Sequence, residues 1–226
     1  MNTIGLLGNI GSGKNTVAQY LATKGCIPTS FAGPLKDLCA NVFGWDRDLL
    51  EGETDESRQF RETVDMFWSK KLSISNFTPR LALQLIGTDV MRNHFNENIW
   101  ISSLEYRVKK LHHQNECVVI SDCRFQNEVK IIQAMNGTII LVEREEKPEW
   151  YEIALKANQG DAVARHIMNR DFKQIHASEW DWIGCHIDFT VKNNSTKEEL
   201  FEQIDQILEK LPTKPEIFTE NTIEII

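Results

Sequence analysis

The 226-residue sequence predicts a single α/β domain, with a central parallel sheet flanked by helices. Three observations carry that expectation. The chain opens with a short apolar run, a glycine loop and a helical pattern, in that order. Two further apolar runs, Cys117-Val-Val-Ile-Ser121 and Thr138-Ile-Ile-Leu-Val142, read as strands buried on both faces, as in a parallel sheet. Helical stretches alternate with these strands, which places helices on both faces of the sheet.

The first element is the strand ending at Leu7. Gly8, Asn9, Ile10, Gly11, Ser12, Gly13 and Lys14 follow, then Asn15 and Thr16. Glycines five positions apart with a lysine directly after, between a strand and a helix, are the pattern of a phosphate-binding loop. The glycines let successive N–H groups turn inward toward a phosphate chain. The helix start adds its positive dipole end, and Lys14 adds a full charge. The position after the lysine ordinarily carries Ser or Thr, whose hydroxyl binds magnesium. Here it is Asn15, so a metal contact falls to Asn15 or Thr16.

Helix one is expected over 15–24, with Gly25 as its stop. Residues 26–31 read as a short strand, with Pro28 placing it near an edge or lying at its start. Pro34 opens a second helix, in which Leu35, Leu38, Val42 and Phe43 give an apolar side and Gly44 the end. Lys36 and Asp37 lie in its first turn, near the carboxyl end of the preceding strand, where ligands bind in an open α/β sheet. Residues 45–76 read as a charged insertion, helical over 55–71. Thr78 and Pro79 then cap and start a clear helix. Gly87, Thr88 and Asp89 are expected to break it, since a glycine inside a helix costs about 1 kcal/mol against alanine. Trp100, Leu104, Val108 and Leu111 form a core stripe at helical spacing.

Asp122 stands at the carboxyl end of the strand 117–121, with Arg124 two residues on. A carboxylate there suits magnesium held through water; the competing reading is a cap for the helix that follows. That helix stops at Asn136-Gly137. Residues 145–184 carry no buried strand pattern and many basic side chains, which suggests a lid whose arginines would neutralise charge on closing. Residues 187–191 form the last strand. Ser195 to Glu198 reads as a capping box for a final helix buried through Leu200, Ile204, Ile207, Leu208 and Leu211. The tail 212–226 has an apolar end, which favours an arm over disorder.

Hydrophobic residues make up 41% and charged residues 26%, ordinary values for a soluble globular chain. A net charge of −8 argues against nucleic-acid polymers and anionic membranes as partners. The five cysteines, an odd number without a CxxC, suit reduced thiols in the cytoplasm. A homodimer stays open.

The motifs together resemble the phage deoxynucleoside monophosphate kinases, a branch of the P-loop nucleoside monophosphate kinase group. Residues 8–16 carry the likeness, with Ala32-Gly-Pro-Leu-Lys36-Asp37, Leu83-Gln-Leu-Ile-Gly87-Thr88-Asp89 and Asn98-Ile-Trp100. So do Ser121-Asp122-Cys-Arg124 with Glu128, His176-Ala-Ser178-Glu179, and the stretch from Asn193-Asn194 to Leu200. The likeness runs over nearly the whole chain and is weak across 45–76 and the lid. It implies a P-loop kinase fold and transfer of the γ-phosphate of ATP, with Mg2+, to deoxynucleoside 5′-monophosphates, supplying DNA precursors in an infected host's cytoplasm. It assigns 45–113 to acceptor binding, through Arg80, Gly87, Thr88, Asp89 and Trp100, with Lys36, Asp37, Arg124 and Glu128 also on the acceptor. Lys14, Arg80, Asp122 and Arg124 form the implied catalytic set; Asn15, Thr16 and Asp122 serve the metal; Asn193 lies close to the ATP base. In that family the residue after the loop lysine is commonly acidic, so Asn15 departs in charge and not in shape. Two rival readings are a P-loop kinase for another small acceptor, such as dephospho-coenzyme A or a sugar acid, and a nucleotide-driven switch or ATPase.

Overall fold

The computed structural model describes residues 2–114, 116–144 and 146–211. In chain order the elements are β1 (Thr3–Leu7), α1 (Lys14–Thr23), β2 (Cys26–Thr29), α2 (Gly33–Phe43), α3 (Asp55–Glu62), α4 (Met66–Leu72) and α5 (Pro79–Gln84). A π-helical segment, Leu85–Phe95, continues from α5. Then come α6 (Ile99–His113), β3 (Cys117–Ile120), α7 (Gln126–Ala134), β4 (Thr138–Glu143), α8 (Tyr151–Asn158), α9 (Ala162–Asp171), β5 (Phe189–Lys192) and α10 (Lys197–Lys210). The chain divides into two compact units, Met1–Thr29 with Arg107–Ile226, and Ser30–Tyr106. The second brackets most of the expected 45–113 region and adds α2 to it. The tail 212–226, expected as an arm, lies outside the described residues.

The first unit holds the sheet, all parallel, in the order β2-β3-β1-β4-β5. One face buries Ile4, Leu6, Val119, Ile140, Val142 and Val191 against Val17 and Leu21 of α1 and Leu200, Ile204 and Ile207 of α10. Each fully buried leucine or isoleucine here contributes about 1.5–3 kcal/mol. The other face is covered by α7 through Val129 and Ile132. β1 lies between β3 and β4, so strand order reverses around it. In an open α/β sheet that reversal leaves a crevice at the carboxyl ends of the strands. Gly8, Ser121, Arg144 and Asn193 are the first residues beyond β1, β3, β4 and β5 on that edge, so the topology gathers them.

In the second unit, Phe43, Trp45, Trp68 and Phe77 form an aromatic core, with ring centroids 4.4–6.1 Å apart. The Trp45 and Trp68 indole N–H groups donate to Asp65 and to the Phe43 carbonyl, each at 2.9 Å.

Several expectations are corrected. The single helix over 55–71 is two, because Asp65 caps α4 by accepting from the Trp68 N–H at 3.0 Å. Gly87, Thr88 and Asp89 do not break the helix after α5; the backbone widens into the π form and runs on to Phe95. Thr196, not Ser195, caps α10, accepting from the Glu199 N–H. Cys26 and Cys117, expected as thiols, are directly opposed in the β2–β3 register and joined as a disulfide. Cys39 and Cys123 remain buried thiols and Cys185 a half-buried one.

Candidate active site

In the first unit, buried β1 delivers the chain to Gly8. Gly8 and Gly13 have φ of +142° and +103°, which only glycine adopts at little cost. Space demands glycine as well. A Cβ on Gly8 would strike the Val142 carbonyl, and one on Gly13 would strike the Asn193 amide. The Ser12 N–H donates to the Asn9 carbonyl at 3.2 Å and closes the curl. The N-cap of α1 is Gly13, which has no side chain to spend on the helix start. Such a helix start offers its first N–H groups and its positive dipole end to an anion.

Lys14 is buried and folds back over the loop. Its Nζ donates to the Gly8 carbonyl at 2.7 Å and the Asn9 carbonyl at 2.9 Å. Burial is the main reason its pKa drops from 10.5 to about 8; the nearby Arg124 charge lowers it further, while Glu179 and Cys123 act the other way. Two atoms of the same loop, Asn9 Oδ1 and Ser12 Oγ, are buried without a hydrogen-bond partner among the described residues. An orphaned buried polar group costs about 1–3 kcal/mol. Phosphate oxygens in the curl would satisfy the Ser12 hydroxyl, so this loop fits a polyphosphate.

Asn193 stands at the carboxyl end of β5, where its amide donates to the Ser12 carbonyl at 2.8 Å. Its observed contact braces the loop. Asp122 is half-buried beyond β3, and Glu128 contributes capping at the start of α7. Glu128 is 4% exposed and accepts from the N–H groups of Arg124 at 2.8 Å and Phe125 at 3.2 Å. The Arg124 guanidinium donates to Glu179 at 2.6 Å. Thr16 is half-buried and Asn15 exposed in the first turn of α1. Of the arginines in the expected lid, Arg165 donates to the Ala157 carbonyl and lies over the Trp180 ring, and Arg170 pairs with Asp171. Arg144, beyond β4, reaches the Gly11 carbonyl at 3.4 Å. The strand-end rule that singled out Asp122 could have singled out Arg144.

In the second unit, Lys36 donates to Glu51 at 2.5 Å, and Asp37 pairs with Arg47 at 2.5 Å. Arg47 also pairs with Glu51, so four side chains form one network. Gly87 is buried, and its carbonyl accepts from the Trp100 indole N–H at 2.9 Å. Leu35, next to Lys36, packs where a Gly87 side chain would be. Trp100, Gly87 and the start of α2 are thus brought together. Thr88 and Asp89 are exposed. Arg80, also exposed, pairs with Glu62. No sequence spacing pointed to Glu51, Arg47 or Glu62.

A phosphate loop opening from the point where a parallel sheet reverses its strand order is the architecture of the P-loop nucleotide-binding class. Within it, the chain belongs to the deoxynucleotide monophosphate kinase family, whose model matches residues 47–204. The matched span starts beyond the phosphate loop, so the loop geometry is a separate line of support. A protein of Acanthamoeba polyphaga mimivirus, provisionally named a deoxynucleotide monophosphate kinase, is 37% identical across 64% of this chain and 75% of its own. The deoxynucleoside-5′-monophosphate kinase of Escherichia phage T5 is 26% identical across 59% of this chain and 72% of its own. Dephospho-CoA kinase from Campylobacter jejuni superposes with a TM-score of 0.45 at 13% identity, over 92% of this chain and 96% of its own, a likeness too slight to bear on substrate.

Proposed function

We propose that the chain transfers the γ-phosphoryl group of ATP to deoxynucleoside 5′-monophosphates, giving the diphosphate and ADP. The observation that carries the reading is the Lys14 ammonium, buried over a curled loop with orphaned polar atoms, in a chain of this family. The loop N–H groups and Lys14 hold the β- and γ-phosphates, Lys14 exchanging its two carbonyl partners for phosphate oxygens. Asn193 keeps the loop in shape. Arg124 offsets negative charge on the transferred group. Lys36, Asp37, Arg80, Gly87, Thr88, Asp89 and Trp100 serve the acceptor nucleotide.

Asn15, Thr16 and Asp122 would hold Mg2+, which when bound draws off charge between the β- and γ-phosphates. The reaction needs no covalent intermediate, so positioning and fixed charge supply the rate. A coupled ADP-release assay across deoxynucleoside monophosphates, ribonucleoside monophosphates, dephospho-coenzyme A and gluconate tests the reading. ADP release with the deoxynucleotides is expected. Release without any acceptor, or with only the last two, would overturn it.

A further inference from the structure

We infer that Glu179 is a positioning residue: its carboxylate tethers the Arg124 guanidinium and so sets the orientation in which Arg124 meets a phosphate. The inference rests on the phosphotransfer reading and adds to it a residue from the far end of the segment 145–184. Arg124 is held at both ends. Its main-chain N–H is fixed by Glu128 at 2.8 Å, and its guanidinium by Glu179 at 2.6 Å. Of the two paired side chains, the Glu179 carboxylate is the more buried, at 18% exposure against 37% for Arg124. A half-buried charge-assisted pair of this length holds its geometry better than an exposed one.

Glu179 is itself firmly placed. It closes the 3-10 turn Ala177–Glu179, which His176 caps by accepting from the Ser178 N–H at 3.2 Å. The Glu179 N–H donates to the His176 carbonyl at 2.9 Å. On its other side Trp180, Trp182 and Ile183 are buried. The Asn158 amide donates to the carbonyls of Trp180, Asp181 and Ile183, at 2.9–3.2 Å. The Asp181 carboxylate accepts from the Gln126 N–H at the start of α7, at 2.9 Å. The turn carrying Glu179 is therefore pinned to the helix that follows Arg124. This gives the His176-Ala-Ser178-Glu179 stretch a physical role: a cap, a turn and a carboxylate presented to one guanidinium.

Glu179→Gln keeps the shape and removes the charge; Glu179→Asp keeps the charge and shortens the reach. The Arg124 Nε–H resonance in the free chain reports the tether without any turnover. In Glu179→Gln that resonance is expected to broaden or shift, with kcat reduced about ten- to a hundredfold and KM for ATP nearly unchanged. Glu179→Asp is expected to recover part of kcat. An unaltered Arg124 resonance together with wild-type kcat in Glu179→Gln overturns the inference. So does tighter ADP binding with raised kcat, which would make the carboxylate a competitor of phosphate. If Glu179→Gln fails to fold, Glu179→Asp decides: reduced kcat with a shifted Arg124 resonance supports the tether, and wild-type values for both overturn it. Arg124→Ala separates the two readings. Lost phosphotransfer in Arg124→Ala beside intact Glu179→Gln sinks only the tether. Intact phosphotransfer in both Arg124→Ala and Lys14→Ala sinks the assignment of the phosphate site to these two residues; ADP release by the wild-type chain that needs no acceptor sinks the phosphotransfer reading, while the Arg124 resonance still reports on Glu179.

Discussion

Lys14 of the first compact unit is held in the opposite way to Lys36 and Arg80 of the second. In the first, Lys14 is buried and its partners are two backbone carbonyls contributed by its own loop. In the second, Lys36 and Arg80 are held by carboxylates, Glu51 and Glu62. A carbonyl carries no net charge, so Lys14 keeps its full charge for a phosphate, and burial shows in its lowered pKa. A carboxylate cancels the charge it holds, so Lys36 and Arg80 must exchange one anion for another before they serve a nucleotide. On the proposed function, the first arrangement would suit tight phosphate capture, and the second exchange of one anion for another.

The largest expected effect breaks the first arrangement. Lys14→Ala should lower phosphotransfer by at least about a hundredfold to a thousandfold, with a thermal midpoint no lower than the wild type. The same lysine sets a pH limit. Its pKa of about 8 in the free chain means that kcat/KM should fall about tenfold per pH unit above that value. Bound phosphate favours the charged form, so the fall in kcat should come at higher pH. Stability carries the opposite sign: the folded pKa lies below 10.5, so this group makes folding more favourable as pH rises from about 8 toward 10.5.

Gly13→Ala attacks the loop without touching its charge. A Cβ at φ +103° against the Asn193 amide should destabilise the fold by about 2–3 kcal/mol and raise KM for ATP. In the second unit, Trp100→Phe removes the indole donor to the Gly87 carbonyl, at about 1–2 kcal/mol in a denaturant titration, and should raise KM for the acceptor more than for ATP. The smallest effect is expected from Glu62→Gln. Loss of an exposed pair should move stability by less than about 0.5 kcal/mol, while KM for the acceptor falls if Arg80 is thereby released.

How legible each region was in the sequence follows from the same contrast. The phosphate loop's glycines and lysine lie within seven consecutive residues, from Gly8 to Lys14, so spacing alone exposed it. The sheet was legible because strands buried on both faces leave unbroken apolar runs such as Val118, Val119 and Ile120. The partners of Lys36 and Arg80 sit 15 and 18 positions away, and Glu179 sits 55 from Arg124. No periodicity links residues that far apart; only the fold brings them into contact. Gly87 was read as a helix breaker because helix propensity penalises glycine in the α form. Here the backbone takes the wider π form, and the Gly87 carbonyl accepts from the Trp100 indole. Cys26 and Cys117 belong to the same class: their pairing depends on strand register, which neither local sequence nor cysteine parity encodes.

The most direct test is a crystal soaked with ADP and a deoxynucleoside monophosphate. The β-phosphate should lie in the curl of residues 8–14, with Lys14 Nζ moved from the Gly8 and Asn9 carbonyls onto its oxygens. An empty curl with Lys14 still on those carbonyls, and the nucleotide bound elsewhere, would contradict it.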